Sequence, residues 1–269
     1  MKNRCQVVMI GLVILSGLAG LATAQEFIRL KGNLWQSRLN GKFTAGVPGL
    51  TGTALDLRSA LDLTDTEQIP EIELRLKVPM MGRVIGSYWK GSYEGAQLLP
   101  ASINYAGTTF AAGQTISTEL NLAMTTVLYE KSFEAASIAV LFPGLSEVEA
   151  GFLLGGKYLT VNGEITSSAG PAAEEDLNAP IPVVGFLLKF GIMGKVSLET
   201  GFTGMRINLN NLETSFLDLY ADINIRIIPS LPLGIGYKRI DLDINYDGGN
   251  DIDLDLKTSG YYLSTVINF

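Results

Sequence analysis

The chain contains no histidine and one cysteine, Cys5. Without imidazole, the usual general base and nucleophile activator of hydrolases is missing, which argues against an enzyme of that kind. Zinc and haem sites lose their common ligands for the same reason, and no cofactor is expected. Positive charge is also scarce: 20 Lys and Arg stand against 27 Asp and Glu. That balance disfavours nucleic acid, or an anionic surface held through a basic patch. No phosphate-cradling loop occurs either, since "G-G-K-Y" at 155–158 lacks the P-loop spacing and sits in a strand-like run. Beyond residue 24 the apolar stretches, such as "A-S-I-A-V-L-F-P-G-L", are too short or interrupted to cross a bilayer as helices.

What is present is grease in small portions. The chain is 47% hydrophobic with a positive mean hydropathy of +0.26. Many short alternating segments without a helical span leave two classes, a soluble all-β domain or a membrane β-barrel.

The start of the chain reads as an address. Lys2 and Arg4 precede the apolar run "V-V-M-I-G-L-V-I-L-S-G-L-A-G-L", and "A-T-A" at 22–24 offers a small-residue cleavage site. This is the three-part pattern of a secretory signal peptide, residues 1–24, removed after Ala24. The expected mature chain, 25–269, is one domain and free of cysteine, so its stability must come from packing and hydrogen bonding. Two of the 20 basic residues lie in the signal, leaving 18 against 27 acids, a formal charge of −9.

Strand periodicity dominates the rest. In "P-E-I-E-L-R-L-K-V-P" at 70–79, Ile72, Leu74, Leu76 and Val78 share one face, and Glu71, Glu73, Arg75 and Lys77 the other. In 215–228, Leu217, Leu219, Ala221, Ile223, Ile225 and Ile227 alternate with Asp218, Tyr220, Asp222, Asn224 and Arg226. In 116–131, Ile116, Leu120, Leu122, Met124 and Leu128 alternate with polar residues. Further strands are expected near 26–40, 83–93, 147–161, 181–191, 196–206, 232–246 and 252–269. That makes about ten, with eight or twelve left open. Their length exceeds the five or six residues usual in globular sheets and suits a tilted crossing of a bilayer. Tight turns at 79–82, 192–195 and 229–232 alternate with long polar segments at about 41–69, 94–114 and 162–180. Such sorting of connections is expected of an outer-membrane barrel. Segment 132–146 reads either as a short amphipathic helix or as an extra strand.

The chain closes on "Y-Y-L-S-T-V-I-N-F", whose Tyr261, Leu263, Thr265, Ile267 and Phe269 lie on one strand face. This ending resembles the terminal strand signal of bacterial outer-membrane β-barrel proteins, with Ile267 where that class usually prefers an aromatic. The resemblance implies an antiparallel up-and-down transmembrane β-barrel in the outer membrane of a diderm bacterium. It implies outer-membrane lipids as surroundings. It also implies a barrel-assembly machinery that reads Tyr261, Leu263, Ile267 and Phe269. It points to no subfamily and no ligand.

Inside such a barrel the charged faces must pair or stay wet. The expected lumen network is Glu71, Glu73, Arg75, Lys77, Arg83, Asp218, Asp222, Arg226 and Arg239, with Lys157 and Lys189. In the last hairpin the apolar parity slips, from Leu233, Ile235 and Tyr237 to Ile240, Leu242 and Ile244, and again between Leu256 and Tyr261. Paired bulges near 238–239 and 258–260 would explain both slips. The acidic tip "D-I-N-Y-D-G-G-N-D" places Asp243, Asn245, Asp247 and Asp251 close together and matches the opening of a calcium loop. The match fails at Leu254, where a closing Glu is required. A small barrel leaves room only for side chains. The expected role is therefore a structural or surface-interaction barrel with a mostly filled lumen. The alternative is a narrow channel or transporter for a small solute or an apolar molecule.

Overall fold

The computed structural model describes residues 27–64, 66–134, 144–209, 212–228, 231–247 and 251–269. The expected signal, 1–24, lies outside them. Thirteen strands follow one another: β1 (Ile28–Ala45), β2 (Leu55–Asp56), β3 (Thr66–Val78), β4 (Gly82–Leu98), β5 (Ile103–Tyr105), β6 (Thr108–Phe110), β7 (Thr115–Glu134), β8 (Leu145–Ser167), β9 (Ala172–Ile192), β10 (Val196–Leu209), β11 (Leu212–Ile228), β12 (Leu231–Asp247) and β13 (Asp251–Asn268). Ten of these pair antiparallel with their sequence neighbours, and β13 returns to β1 to close the ring. The three short strands lie in loops. The architecture is an all-β, up-and-down, ten-stranded closed barrel.

Both chain ends and the tight turns at 79–81 and 193–195 sit at one mouth, the termini end. Phe269 is clamped there, donating its N–H to Ile28 and accepting from Phe27 and Ile28. The opposite mouth carries the long connections 46–65 and 99–114. The third expected long loop, 162–180, is different: β8 and β9 stay paired up to Thr166 and Ala172, leaving a turn at 168–171. Its polar residues misled because they stand on the outer face of a strand. Of segment 132–146, residues 132–134 and 145–146 are strand, and 135–143 lie outside the described residues.

Strand length explains the outer surface. The 23 residues of β8 reach roughly 75 Å at about 3.3 Å each, well over the ~30 Å of a hydrocarbon core even after tilting. One storey can therefore lie in lipid while the other stands in water. Near the termini end the outward side chains are apolar and exposed, including Ile72, Leu74, Leu76, Val127, Phe152, Leu154, Leu219, Ile223, Ile235 and Leu263. Above Tyr88, Tyr158, Tyr237 and Tyr261 the next outward residues are Lys90, Thr160, Arg239 and Ser259. Tyr88 and Tyr158 flank Thr125 in one transverse row, and Tyr237 packs edge-on against Tyr261 at 5.3 Å. A tyrosine row at that step is the aromatic girdle of a membrane barrel, ring toward lipid and hydroxyl toward water.

The inner face inverts at the same height. Above the girdle the inward side chains are apolar and buried: Leu39, Phe43, Tyr93, Ile116, Leu120, Leu122, Met124, Val161, Ile165, Ile240, Leu242, Ile244 and Leu254. The alternating residues of 116–124 thus face the lumen. The register from Leu233 opposite Thr265 to Asp247 opposite Asp251 runs without a shift, so the expected paired bulges are absent. The apolar parity slips because the medium outside changes from lipid to water while the backbone continues unbroken.

Two ladders do stop early, each at proline. Pairing of β3 with β4 ends at Glu71 and Trp89, beside Pro70. Pairing of β9 with β10 ends at Val184 and Gly204, beside Pro182 and Pro180. A proline has no N–H to donate, and in both cases the ladder on the strand's other side continues. The first gap is bridged by the loop, where Thr64 donates its N–H and hydroxyl to the Glu94 carbonyl at 2.9 and 2.8 Å.

The two storeys carry opposite mutational signatures. Leu76→Arg, in the apolar belt below the girdle, is expected to cost about 1–4 kcal/mol, depending on its depth. Leu254→Ala, within the upper interior, is expected to cost about 2–5 kcal/mol. Urea unfolding of the barrel refolded in detergent measures both. A harmless Leu76→Arg would remove lipid from that face.

Candidate functional site

The lumen is the site, and its two storeys are built differently. The upper one is plugged. Asp56 accepts hydrogen bonds from the Arg58 and Ser59 N–H groups (3.1 and 2.8 Å) and from the Ser59 hydroxyl (2.9 Å), starting a tight turn over 57–62. The same bonds hold the Asp56 carboxyl below its ordinary range. The turn sends Leu57 and Leu61, one helical turn apart, and then Leu63 into the barrel, where all three are buried. Gly95 lets the loop pass close to β4, for a methyl there would collide with the Leu61 and Asp62 carbonyls. The β5–β6 hairpin adds Tyr105 and Phe110, with the Tyr105 hydroxyl donating to the Gly163 carbonyl at 2.9 Å. The space left among Phe43, Leu57, Leu61, Leu63, Tyr105 and their neighbours is about 10 Å³, room for about one water at most.

Beneath the plug lies an aromatic shelf on which lysines rest. Trp35 meets Trp89 edge-on at 5.8 Å. The Lys238, Lys31 and Lys157 ammonium groups sit 5.5, 5.2 and 5.3 Å from the Trp35, Tyr262 and Phe216 rings. Each lysine also finds a carboxylate: Lys238 binds Glu71 at 2.7 Å, Lys157 binds Asp218 at 2.5 Å, and Lys31 binds Asp222. Asn33 donates to Glu71 at 3.0 Å; Asn224 and the Tyr262 hydroxyl donate to Asp222 at 2.7 and 3.2 Å.

Lower still, Arg75 spans the barrel. It binds Glu73 on its own strand and Glu199 of β10, both at 2.6 Å. Strands β3 and β10 are five places apart in a ring of ten, so this contact runs straight across. Tyr220 also donates to Glu199 at 3.0 Å, and Arg29 approaches it at 3.5 Å. Nearer the termini end, Arg83 holds Glu130 and Glu149 at 2.5 and 2.7 Å, and Lys189 binds Glu147 at 2.8 Å.

Glu71, Glu73, Arg75, Arg83, Asp218 and Asp222 thus stand together in the network, as do Lys157 and Lys189. Lys77 lines the opening below it. Arg226 is exposed, its backbone N–H bonded to the Lys195 carbonyl. Arg239 does not belong: it is exposed on the outer wall and forks onto Asp241 at 2.8–3.0 Å. Lys238 takes the lumen place because no bulge shifts the parity. Lys31, Glu130, Glu149 and Glu199 escaped the sequence reading, although each lies on the inward parity of its strand. Of the terminal signal, Tyr261 and Leu263 are exposed on the outer wall, Ile267 is covered, and Phe269 is half-buried in the terminal clamp.

The acidic hairpin stands on the outer wall above the girdle. Asp243 lies opposite Asp255 and Asn245 opposite Asp253, while Ile244 points inward and is buried. Asp247 and Asp251 pair through their backbones, and the 248–250 turn lies outside the described residues. Among the described residues, no group of three or more acidic or thiol side chains is arranged to hold a metal. Partial burial, followed by Asp255, Asp253 and Glu213, pushes the Asp243 carboxyl up.

This shape belongs to a known class: the fold is that of the bacterial outer-membrane β-barrels. The outer-membrane protease OmpT from Escherichia coli superposes with a TM-score of 0.56 at 9% identity, over 93% of this chain and 100% of that one. The translocator domain of the autotransporter NalP from Neisseria meningitidis aligns at 0.47 and 10% identity, over 100% and 98%. Ail, the attachment invasion locus protein of Yersinia pestis, aligns at 0.36 and 10% identity, over 91% and 100%. No family model and no curated relative matches the sequence.

Two outcomes follow from the charges. Lys157→Met alone should cost about 3–5 kcal/mol by stranding Asp218, whereas adding Asp218→Leu should recover most of that loss in urea unfolding. Asp243 is easier to protonate when folded, so its effect on stability is most favourable at low pH and declines as pH rises above the ordinary aspartate range. Asp243→Asn should therefore remove that decline and raise stability at pH 7 by about 0.2–1 kcal/mol, less in high salt.

Proposed function

We propose that the protein is an integral outer-membrane barrel of a diderm bacterium with a sealed lumen. In this reading it serves as a structural or surface-interaction protein. One observation carries the proposal: the upper lumen is packed with buried apolar side chains, and the space among Phe43, Leu57, Leu61, Leu63 and Tyr105 is about 10 Å³. A solute would have to displace Leu57, Leu61 and Leu63, then part the cross-lumen Arg75–Glu199 pair. The apolar belt and tyrosine girdle support membrane insertion, and the bacterial outer-membrane location of the fold neighbours supports which membrane. The mature chain begins at Gln25 and meets the assembly machinery and outer-membrane lipids. The mouth that carries the long connections 46–65 and 99–114 faces the cell exterior.

We read the chain as non-enzymatic. It has no histidine, and the lumen carboxylates named above are each held by a cation. The alternative, passage of a small solute or apolar molecule, draws on the break in the β9–β10 ladder, which opens in the upper part of the belt.

Planar-bilayer recording of the refolded mature chain separates the two. Folding is checked by heat-modifiable gel mobility. The expected result is a folded barrel without unitary current steps. Steps from the unaltered chain would overturn the sealed reading. Recovery in a soluble periplasmic fraction would overturn the membrane placement.

A further inference from the structure

Below the Arg75–Glu199 crossing the lumen widens into a vestibule of about 210 Å³ that opens at the termini end. Its lining is Phe27, Arg29, Arg75, Lys77, Arg83 and Lys189, so among the described residues every charged side chain lining it is a cation. The carboxylates behind Arg29 and Arg83 are turned away, whereas Glu147, bound to Lys189 at 2.8 Å, keeps 43% of its side chain exposed and Glu73, bound to Arg75, keeps 17%. The Arg29 and Arg83 side chains keep 21% and 27% of their surface exposed, while their partners Glu199, Glu130 and Glu149 keep 1%, 0% and 3%. Each hidden carboxylate fixes the inner side of its guanidinium and leaves the remaining N–H edge toward the water. Lys77 adds a cation with no carboxylate partner among the described residues, and the buried Nε of Arg29 has no hydrogen-bond acceptor.

We infer that this vestibule is a binding site for a phosphate-class oxyanion. Guanidinium forks pre-oriented from behind are suited to bidentate recognition of tetrahedral oxyanions, and lysines supply mobile point charges. An apolar solute gains nothing from such a wall, and a metal cation is repelled by it. All five cations lie on the inward parity of their strands, so the ligand enters through the aqueous mouth. Below the plug the site is a dead end that captures rather than conducts. Capture without conduction rests on the sealed lumen; binding of the anion requires only that these five side chains line the mouth.

The test is calorimetric titration of sodium pyrophosphate and inorganic phosphate onto the full mature chain, folded in a phosphate-free nonionic detergent. Saturable one-site binding is expected. Lys77→Gln leaves no carboxylate stranded, and Arg29→Gln leaves Glu199 with Arg75 and Tyr220, so both variants should fold. Each is expected to weaken binding at least threefold, and the pair at least tenfold. Lys90→Gln, on the outer wall, is expected to change nothing. Competition by glycerol phosphate would mark a soluble source, and competition only by phosphatidylglycerol in mixed micelles a lipid headgroup; either supports the site. Absence of saturable binding, or equal weakening by Lys90→Gln, overturns it.

Discussion

A β-strand in an unbroken antiparallel ladder cannot turn a side chain from one face to the other without inserting a residue. The ladders of this barrel run past the girdle without such an insertion on most strands, and the rest of the molecule follows from that. Where the outside is lipid, outward residues are apolar and inward ones are free to be charged. Where the outside is water, the outward residues turn polar. The inward ones must then supply the hydrophobic burial that lipid no longer provides. Strand β13 shows both regimes on one backbone, with Leu263 outward and Ser264 inward below, and Asp255 outward and Leu254 inward above.

The lower storey resolves its inward polarity by neutralisation. Lys31, Lys157 and Lys238 each meet a carboxylate from a strand three places away, and Arg75 meets one five places away. Such pairs contribute little net free energy over apolar packing, because desolvation offsets most of the Coulomb gain. Their effect is on shape, since pairs crossing the lumen set the separation of facing strands. The aromatic shelf of Trp35, Trp89, Phe216 and Tyr262 lies between this layer and the plug, and it serves both: apolar bulk above, a negative ring face for ammonium groups below.

Sequence periodicity carried the strand count and the facing of 70–79, because period two is a local property that neighbours do not alter. It could not say which medium lay on either face. The greasy parity of 116–124 therefore looked like that of 70–79, although one faces the core and the other lipid. The same ambiguity made a bulge seem necessary at 238–239 and put Arg239 in the place of Lys238. The cross-lumen partners were illegible for another reason. Which carboxylate Arg75 meets depends on ring closure and strand order, and Glu199 lies 124 residues away. The leucines at 57, 61 and 63 sit in a segment of loop composition, where nothing local shows that the loop folds inward.

The three prolines that end ladders leave the wall with two kinds of mechanics. Below the level of Val184 and Gly204 it is a continuous hoop, whose girth changes only if hydrogen bonds break along its whole height. From there upward, between β9 and β10, it is a sleeve with a slot, since Pro180 and Pro182 withhold the donors that would lace it shut. A hoop resists expansion in every direction, whereas a slotted sleeve opens by sliding two edges apart against side-chain packing alone. Stiffness therefore falls in a step along the barrel axis. The compliant part begins in the upper belt, at Val184, and runs from there into the storey that stands in water.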